Sequence, residues 1–313
     1  MATQLFYLLI FPGFLFLSAF GLFAEYADRK IYARMQNRIG PPWFQPLADF
    51  IKLLGKETII PESADRRIFL LMPVFALTAA VTSFLYIPMW DTHALVSFNG
   101  DAIVVLYLLT IPTVTFFLGG WSSNSMYSTI GAVRSITQLF AYEVPLFMGI
   151  LAPSLLAGTW SLSEISAFYN AHSWYWLVNL PGLAIALIAV QGKLEKVPFD
   201  IPEAETEIVG GTFTEYSGRL LALLRMALDV EMVVVASLLA AVFLPFGLGY
   251  APITGFIIYL IKVFFIIFLM ALVRTVLARL RIEQMVNFCW KYLAPAGLLQ
   301  LVVCLFVKGV MLQ

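Results

Sequence analysis

The chain has 313 residues, no net charge, and a composition that is 61% hydrophobic and only 12% charged, against roughly 25% charged residues in an ordinary soluble domain. That composition belongs to an integral membrane protein and offers no footing for nucleic-acid binding. Two cysteines, Cys289 and Cys304, and two histidines, His93 and His172, are too few for an iron–sulfur cluster, which takes about four thiolates, or for a haem or metal site in this chain.

Apolar runs near the ~20 residues that cross a bilayer recur along the whole chain, so a single polytopic membrane domain over 1–313 is expected. The predicted spans are 4–24, 68–90, 102–120, 137–158, 174–192, 219–246, 252–273 and 290–311. The first lacks a preceding basic stretch and a small-residue cleavage site, so it reads as a retained helix rather than a leader. The connection after it is long and basic, with Arg29, Lys30, Arg34, Arg38, Lys52, Lys56, Arg66 and Arg67. Within it Leu47, Phe50, Ile51 and Leu54 fall at helical spacing, with Asp49, Lys52 and Lys56 on other faces. That pattern predicts an interfacial helix, either a plain surface helix or a lid over a cavity.

The second connection, DTHALVSFNGD, has no Lys or Arg, and ALVSFNGDAIVV alternates about an Asn-Gly pair, which predicts a β-hairpin. Arg134 falls in the third connection, Lys193 and Lys196 in the fifth, and Arg274, Arg279, Arg281 and Lys291 around the seventh, while the even connections carry no basic residue. The positive-inside rule therefore puts both termini outside the cell membrane and the odd connections in the cytoplasm. No internal repeat of the kind that builds many secondary transporters is visible.

Four charges fall inside predicted spans: Glu143, Arg225, Asp229 and Glu231. An ionised side chain at a helix centre costs at least ~2.5–3.5 kcal/mol, so each needs compensation or a role. Arg225 and Asp229 are four apart on one helix face and are expected to neutralise each other. Glu143 and Glu231 have no partner nearby in sequence, which makes them candidates for proton transfer. The fifth connection, KVPFDIPEAETEIVGGTFTEYSG, crowds Asp200, Glu203, Glu205, Glu207 and Glu215 together. Carboxylates so close titrate as a coupled set, and a change of one electron's charge nearby can move protons among them. Pro198 and Pro202, the Gly210–Gly211 pair and the interspersed Val197, Phe199, Ile201, Ile208, Val209 and Phe213 predict an ordered, irregular loop packed on protein.

PFDIPEAETEIVGGTFTEYSG resembles the signature loop of the complex I H-subunit family, known as subunit 1 in mitochondria. ARMQNRIGP followed by QPLADFIKLLGKETIIP, then GWSSNSMYSTIGAVRSITQLFAYE, and finally RLRIEQMVNFCWKYLAP resemble the family's other signatures in the same order. The resemblance implies an all-α integral membrane protein with about eight transmembrane helices, a cytoplasmic interfacial helix and an ordered acidic loop. It implies a subunit without a cofactor of its own that docks a soluble electron-transfer module and couples its chemistry to ion movement. Carried onto matching positions, the family's acidic path falls on Glu143, Asp200, Glu203, Glu205, Glu207 and Glu215, with Asp229 and Glu231 near a further family glutamate. The surface implied for the soluble arm includes Arg29, Arg34, Gln36, Arg38, Asp49, Lys52, Arg279 and Arg281.

Three departures narrow the branch. Lys193 stands where quinone-using members carry a glutamate, with Glu195 two places on. The further glutamate falls on Leu228, beside Asp229 and one turn from Glu231. The stretch between GP and QPLAD is only PWF, shorter than the one that shapes the quinone mouth. The short connection resembles complex I-related membrane-bound hydrogenases and sulfur-reducing complexes, in which ferredoxin supplies electrons. Expected partners are then soluble hydrogenase-like and iron–sulfur subunits, holding the iron–sulfur clusters and a nickel–iron site, antiporter-like membrane subunits, and the lipid bilayer. The alternative is the quinone-site subunit of an NADH:quinone oxidoreductase. Any cavity is expected to be bounded by the short connection, Phe199 and Gln36.

Overall fold

The computed structural model describes residues 2–91 and 93–311. Among them, eight helices are long and apolar enough to cross a membrane. In chain order the elements are α1 (Ala2–Leu9), α2 (Phe14–Met35), α3 (Gln45–Gly55), α4 (Arg66–Phe84), α5 (Asp101–Ser122), α6 (Met126–Ala157), α7 (Leu162–Ala171), α8 (Leu180–Lys193), α9 (Glu205–Ile208), α10 (Gly218–Phe243), α11 (Pro252–Val276), α12 (Ile282–Phe288) and α13 (Ala294–Met311). A 3₁₀ turn over Ser173–Asn179 extends α8, and a π turn over Cys289–Leu293 joins α12 to α13. The protein is thus an all-α, multi-pass membrane protein.

The helices run further than the apolar runs suggest. The first span continues to Met35 and the fourth begins at Met126, so Arg29, Lys30, Arg34 and Arg134 are helical rather than in connections. Hydropathy marks where lipid ends, whereas a helix ends only where its backbone groups find other partners. At α4 that partner is Asp65, whose carboxylate accepts from the amides of Arg67, at 3.0 Å, and Ile68, at 3.5 Å.

No hairpin forms at ALVSFNGDAIVV, and no strand occurs among the described residues. The turn signal is genuine, since Gly100 sits at φ 130°, but the chain enters α5 at Asp101. A run of over twenty residues apolar on all faces closes its own backbone hydrogen bonds only as a helix, while an isolated hairpin would leave edge amides unpaired in lipid.

α10 forms the centre of the bundle, with 83% of its apolar stretch buried. It packs on α2, α3, α4 and α11, while α6 packs on α5, α8 and α13. Gly21 lets α2 approach so closely that a Cβ there would lie 3.1 Å from the Asp229 carbonyl carbon. Cys289 and Cys304 are buried free thiols in the last span.

The four odd connections meet at one end of the bundle and are tied by hydrogen bonds. The Ile59 amide donates to Ser217 Oγ at 2.9 Å, Asn124 Nδ2 to the Ser63 carbonyl at 3.3 Å, and the Leu280 amide to the Pro198 carbonyl at 2.9 Å. α3 lies at this end with Leu47, Ile51 and Leu54 exposed and Phe50 against the core.

Candidate functional site

The acidic loop is held by aromatic packing and by glycine. Tyr216 stacks on Phe69 of α4 with centroids 4.0 Å apart, and Phe213 meets Phe116 of α5 edge-on at 5.3 Å. Gly211 adopts φ 53°, and a Cβ there would fall 1.7 Å from the Pro202 carbonyl oxygen. On the facing helix, a Cβ at Gly131 would lie 2.5 Å from the Thr212 amide nitrogen. Loop and α6 therefore touch backbone to backbone, and Ser128 Oγ donates to the Thr212 carbonyl at 3.1 Å. The expected ordered loop is what these residues build.

Behind the loop lies a polar cavity of about 140 Å³, lined by Glu25, Arg29, Glu195, Lys196, Asp200, Glu203, Arg225, Asp229 and Arg274 with four apolar neighbours, Leu194, Val197, Leu228 and Met232. Three carboxyls singled out in the sequence, Asp200, Glu203 and Asp229, thus meet in one chamber. Arg225 reaches Glu203 as its ion-pair partner rather than Asp229, so the expected i,i+4 neutralisation gives way to a pair between α10 and the loop. Phe199 is buried in the core and neither it nor Gln36 lines the cavity. The short first connection contributes no lining either, so the expected boundary is replaced by α2, α10, α11 and the start of the loop.

A chain of ion pairs crosses the cavity wall. Arg29 Nε lies 2.6 Å from Glu25 Oε1, and its Nη1 3.4 Å from Asp49 Oδ2 of α3. Lys196 Nζ and Arg274 Nη1 both meet Asp28 Oδ2, at 2.7 and 2.9 Å. The Arg274 guanidinium also sits over the Tyr32 ring, 4.3 Å from its centroid, a cation–π contact. Glu25, Asp28, Lys196 and Arg274 carry most of this network. The sequence did not mark them as site residues; Glu25 and Asp28 follow the first apolar run, and the rule that flags intramembrane charges would have found them once α2 was extended.

Glu195 is the group whose environment is most altered outside the spans. It stands just past α8 at φ 51°, a left-handed conformation costing a non-glycine residue about 1 kcal/mol, which turns its carboxyl inward. Ser135 Oγ donates to its Oε1 at 3.1 Å, while Oε2 has no hydrogen-bond partner among the described residues. Burial, then the charges of Glu203, Glu231 and Asp200, push its pKa up to about 8. Glu195 can hold or release a proton near neutral pH.

The remaining predicted residues divide. Glu231 is fully buried on α10, and its long-range partner is Lys193, with Nζ 2.7 Å from Oε1. Glu143 is half-buried on α6 and lies within the electrostatic influence of Lys193. Glu207 faces away from the cavity, with Oε2 2.7 Å from Arg134 Nη1 and Oε1 3.4 Å from Arg279 Nη2. The Arg134 hydrogen bond holds its carboxyl below the usual value. A surface groove of about 310 Å³ there is lined by Arg134, Glu207, Arg279, Arg281 and Glu283 among others. Glu215 is half-buried beside Tyr216, outside the cavity, and the Glu205 side chain lies outside the described residues. Arg34, Arg38 and Lys52 are exposed at the same end of the bundle, and Gln36 is partly covered. Among the described residues no group of three or more His, Cys, Asp or Glu is placed to hold a metal.

Comparison with known proteins gives this geometry a context. A family model described as NADH dehydrogenase matches residues 7–305. The H subunit of the NADH-quinone oxidoreductase of Carboxydothermus hydrogenoformans is 37% identical over 297 residues, covering 91% of this chain and 83% of that protein. The H subunit of the Dehalococcoides mccartyi NADH-quinone oxidoreductase is 37% identical over 311 residues, covering 96% and 85%. Among solved structures, a chain of the membrane-bound sulfane sulfur reductase, an archaeal respiratory membrane complex, superposes with a TM-score of 0.82 at 26% identity, covering 93% of this chain and 96% of that one.

Proposed function

Because this chain belongs to the NADH dehydrogenase H-subunit family and is a membrane subunit of a complex I-like respiratory complex, we propose that it anchors a soluble electron-transfer module and passes the module's charge changes into the membrane as proton shifts. The observation that carries this is the chamber behind the acidic loop: four arginine or lysine and five carboxyl side chains surround about 140 Å³. That volume is below the ~300 Å³ at which small-molecule pockets begin and lacks their predominantly apolar lining. Such a chamber suits water and protons, and an electron added nearby would redistribute protons among coupled carboxylates.

In this reading Arg34, Gln36, Arg38, Lys52, Arg279 and Arg281, with the Arg29–Asp49 link to α3, form the docking face on the cytoplasmic side. Protons move from Asp200, Glu203 and Asp229 through Glu195 toward Glu231 and Glu143. Antiporter-like membrane subunits then carry H⁺ or Na⁺. The preferred electron source is ferredoxin, with protons or sulfur compounds as acceptor, and with iron–sulfur clusters and a nickel–iron site on partner subunits. Its support is the short GPPWFQP connection together with the small charged chamber and the likeness to the sulfane sulfur reductase chain.

A second reading, a quinone-site subunit, is favoured by the names of the relatives at 37% identity and by the exposed Ile39, Trp43 and Phe44 beside the chamber-bearing end, which would suit an isoprenoid tail. The two are separated by titrating the purified complex with a quinone-site inhibitor. The proposal expects no inhibition; inhibition at low concentration, lost on removing the Trp43 and Phe44 rings, would transfer the assignment to the quinone reading.

A further inference from the structure

An apolar slot opens between the first two spans. α1 and α2 do not join smoothly, because Pro12 has no amide to donate and the chain turns so closely at Gly13 that a Cβ there would lie 1.9 Å from the Leu8 carbonyl oxygen. Around this elbow Leu8, Leu9 and Phe14 line a groove of about 280 Å³, to which α4 contributes Val74, Thr78 and Thr82 among others. Leu223 of α10 also lines it. The two threonines bring the only polar side-chain atoms, and both hydroxyls are spent as donors within α4: Thr78 Oγ1 donates to the Val74 carbonyl at 2.9 Å and Thr82 Oγ1 to the Thr78 carbonyl at 2.7 Å. The groove therefore presents methyl and ring carbon with no free donor, and such a cavity does not hold water.

The dimensions select the occupant. From Val74 to Thr82 α4 rises about 12 Å, so the groove has a mean cross-section of about 23 Å², whereas a helix about 10 Å across needs about 80 Å². The slot is too narrow for a helix of a neighbouring subunit and wide enough for one hydrocarbon chain. Its mouth is open to the bilayer: Leu9, Phe14 and Val74, all on membrane-spanning segments, are 52%, 41% and 46% exposed. We propose that the slot is a binding site for a single acyl chain of a membrane phospholipid, which fills the space beside the elbow and joins α2 to α4. Left empty, its wall atoms would lose their dispersion contacts on that side. The site bears on more than its own helices, because α4 carries Phe69, on which Tyr216 of the acidic loop stacks, and α2 carries Glu25 and Arg29 of the chamber.

Photolabelling of the intact complex tests this. The complex is placed in phosphatidylcholine vesicles that contain some phosphatidylcholine with a diazirine in one acyl chain, then illuminated and digested for peptide mapping. Peptides holding Leu8–Leu9 and Val74–Thr82 are expected to carry about fivefold or more label than those holding Ile261 of α11 and Phe306 of α13, which are also exposed on spanning helices, because many small dispersion contacts retain a chain in the slot. Thr78→Phe, which fills the slot, should bring its label down to the α11 and α13 level and leave theirs unchanged, whereas Thr78→Val, which keeps the width, retains it. Equal label in the slot and on α11 and α13 would mean ordinary surrounding lipid and overturn the proposal, as would slot label indifferent to Thr78→Phe. Loss of the slot label on adding excess long-tailed quinone would assign the slot to an isoprenoid chain and also overturn it. Should Thr78→Phe not assemble, labelling of the unmodified complex with and without quinone decides.

Discussion

At Glu195 the backbone conformation and burial together set the environment of a carboxyl. Its left-handed backbone and buried carboxyl put it between chamber and membrane, and its pKa rises from 4.5 to about 8, chiefly through burial. An acid whose pKa rises on folding binds its proton more tightly in the folded state. Folding is therefore favoured at low pH, and that advantage is lost as pH rises from 4.5 to about 8, at a slope of at most ~1.4 kcal/mol per pH unit. Thermal melts of the detergent-solubilised complex should fall between pH 5 and pH 8, bounds chosen from that window, more steeply than those of Glu195→Gln, which cannot ionise. Parallel curves would place the titration elsewhere. The sequence marked Glu195 only as a departure from a pattern, because neither its burial nor its neighbours on α6 and α10 are local in the chain. Lys193 was hidden in the same way: its partner Glu231 is 38 positions away and on another helix.

Among the elements, the acidic loop was the most legible. Its prolines, paired glycines and interspersed apolar residues were enough to predict an ordered, packed segment, and Gly211 and Gly131 supply the reason it fits. Gly211→Ala combines a positive φ with a Cβ 1.7 Å from the Pro202 carbonyl oxygen, so it should destabilise the loop by more than the ~1 kcal/mol of a φ penalty alone. Limited proteolysis reads this directly: cleavage in the 203–210 stretch should accelerate in Gly211→Ala, and an unchanged cleavage rate would mean the backbone there shifts without cost. What the loop's sequence could not reveal is which way each carboxylate faces. Glu203 turns into the chamber with Arg225, whereas Glu207 turns out to Arg134 and Arg279, a difference set by arginines on α10, on α6 and in the connection between α11 and α12. The hairpin expectation failed for a comparable reason, since an Asn-Gly turn is a two-residue signal and the apolar run after it decides the element.

Across the bundle, eight crossings were readable from apolar runs and alternating charge, because lipid demands both ~20-residue helices and cytoplasmic basic residues. Span ends were less readable, since α2 and α6 carry their charged turns on into the end of the bundle that bears the acidic loop. Orientation has its own check. Ser63 is exposed on the first connection, so Ser63→Cys in a background lacking Cys289 and Cys304 should react with an impermeant thiol reagent from the cytoplasmic side; reaction only from the outside would invert the topology. If the Glu195 carboxyl, standing between chamber and membrane, transmits redox charge as proton movement, then removing its ability to ionise should uncouple the two processes without stopping electron flow. Ions moved per electron pair, measured in matched vesicles for the unmodified complex and for Glu195→Gln, decide this. A fall of about fivefold or more in the ratio is predicted, and an unaltered ratio in assembled Glu195→Gln complex would show that protons do not pass this way.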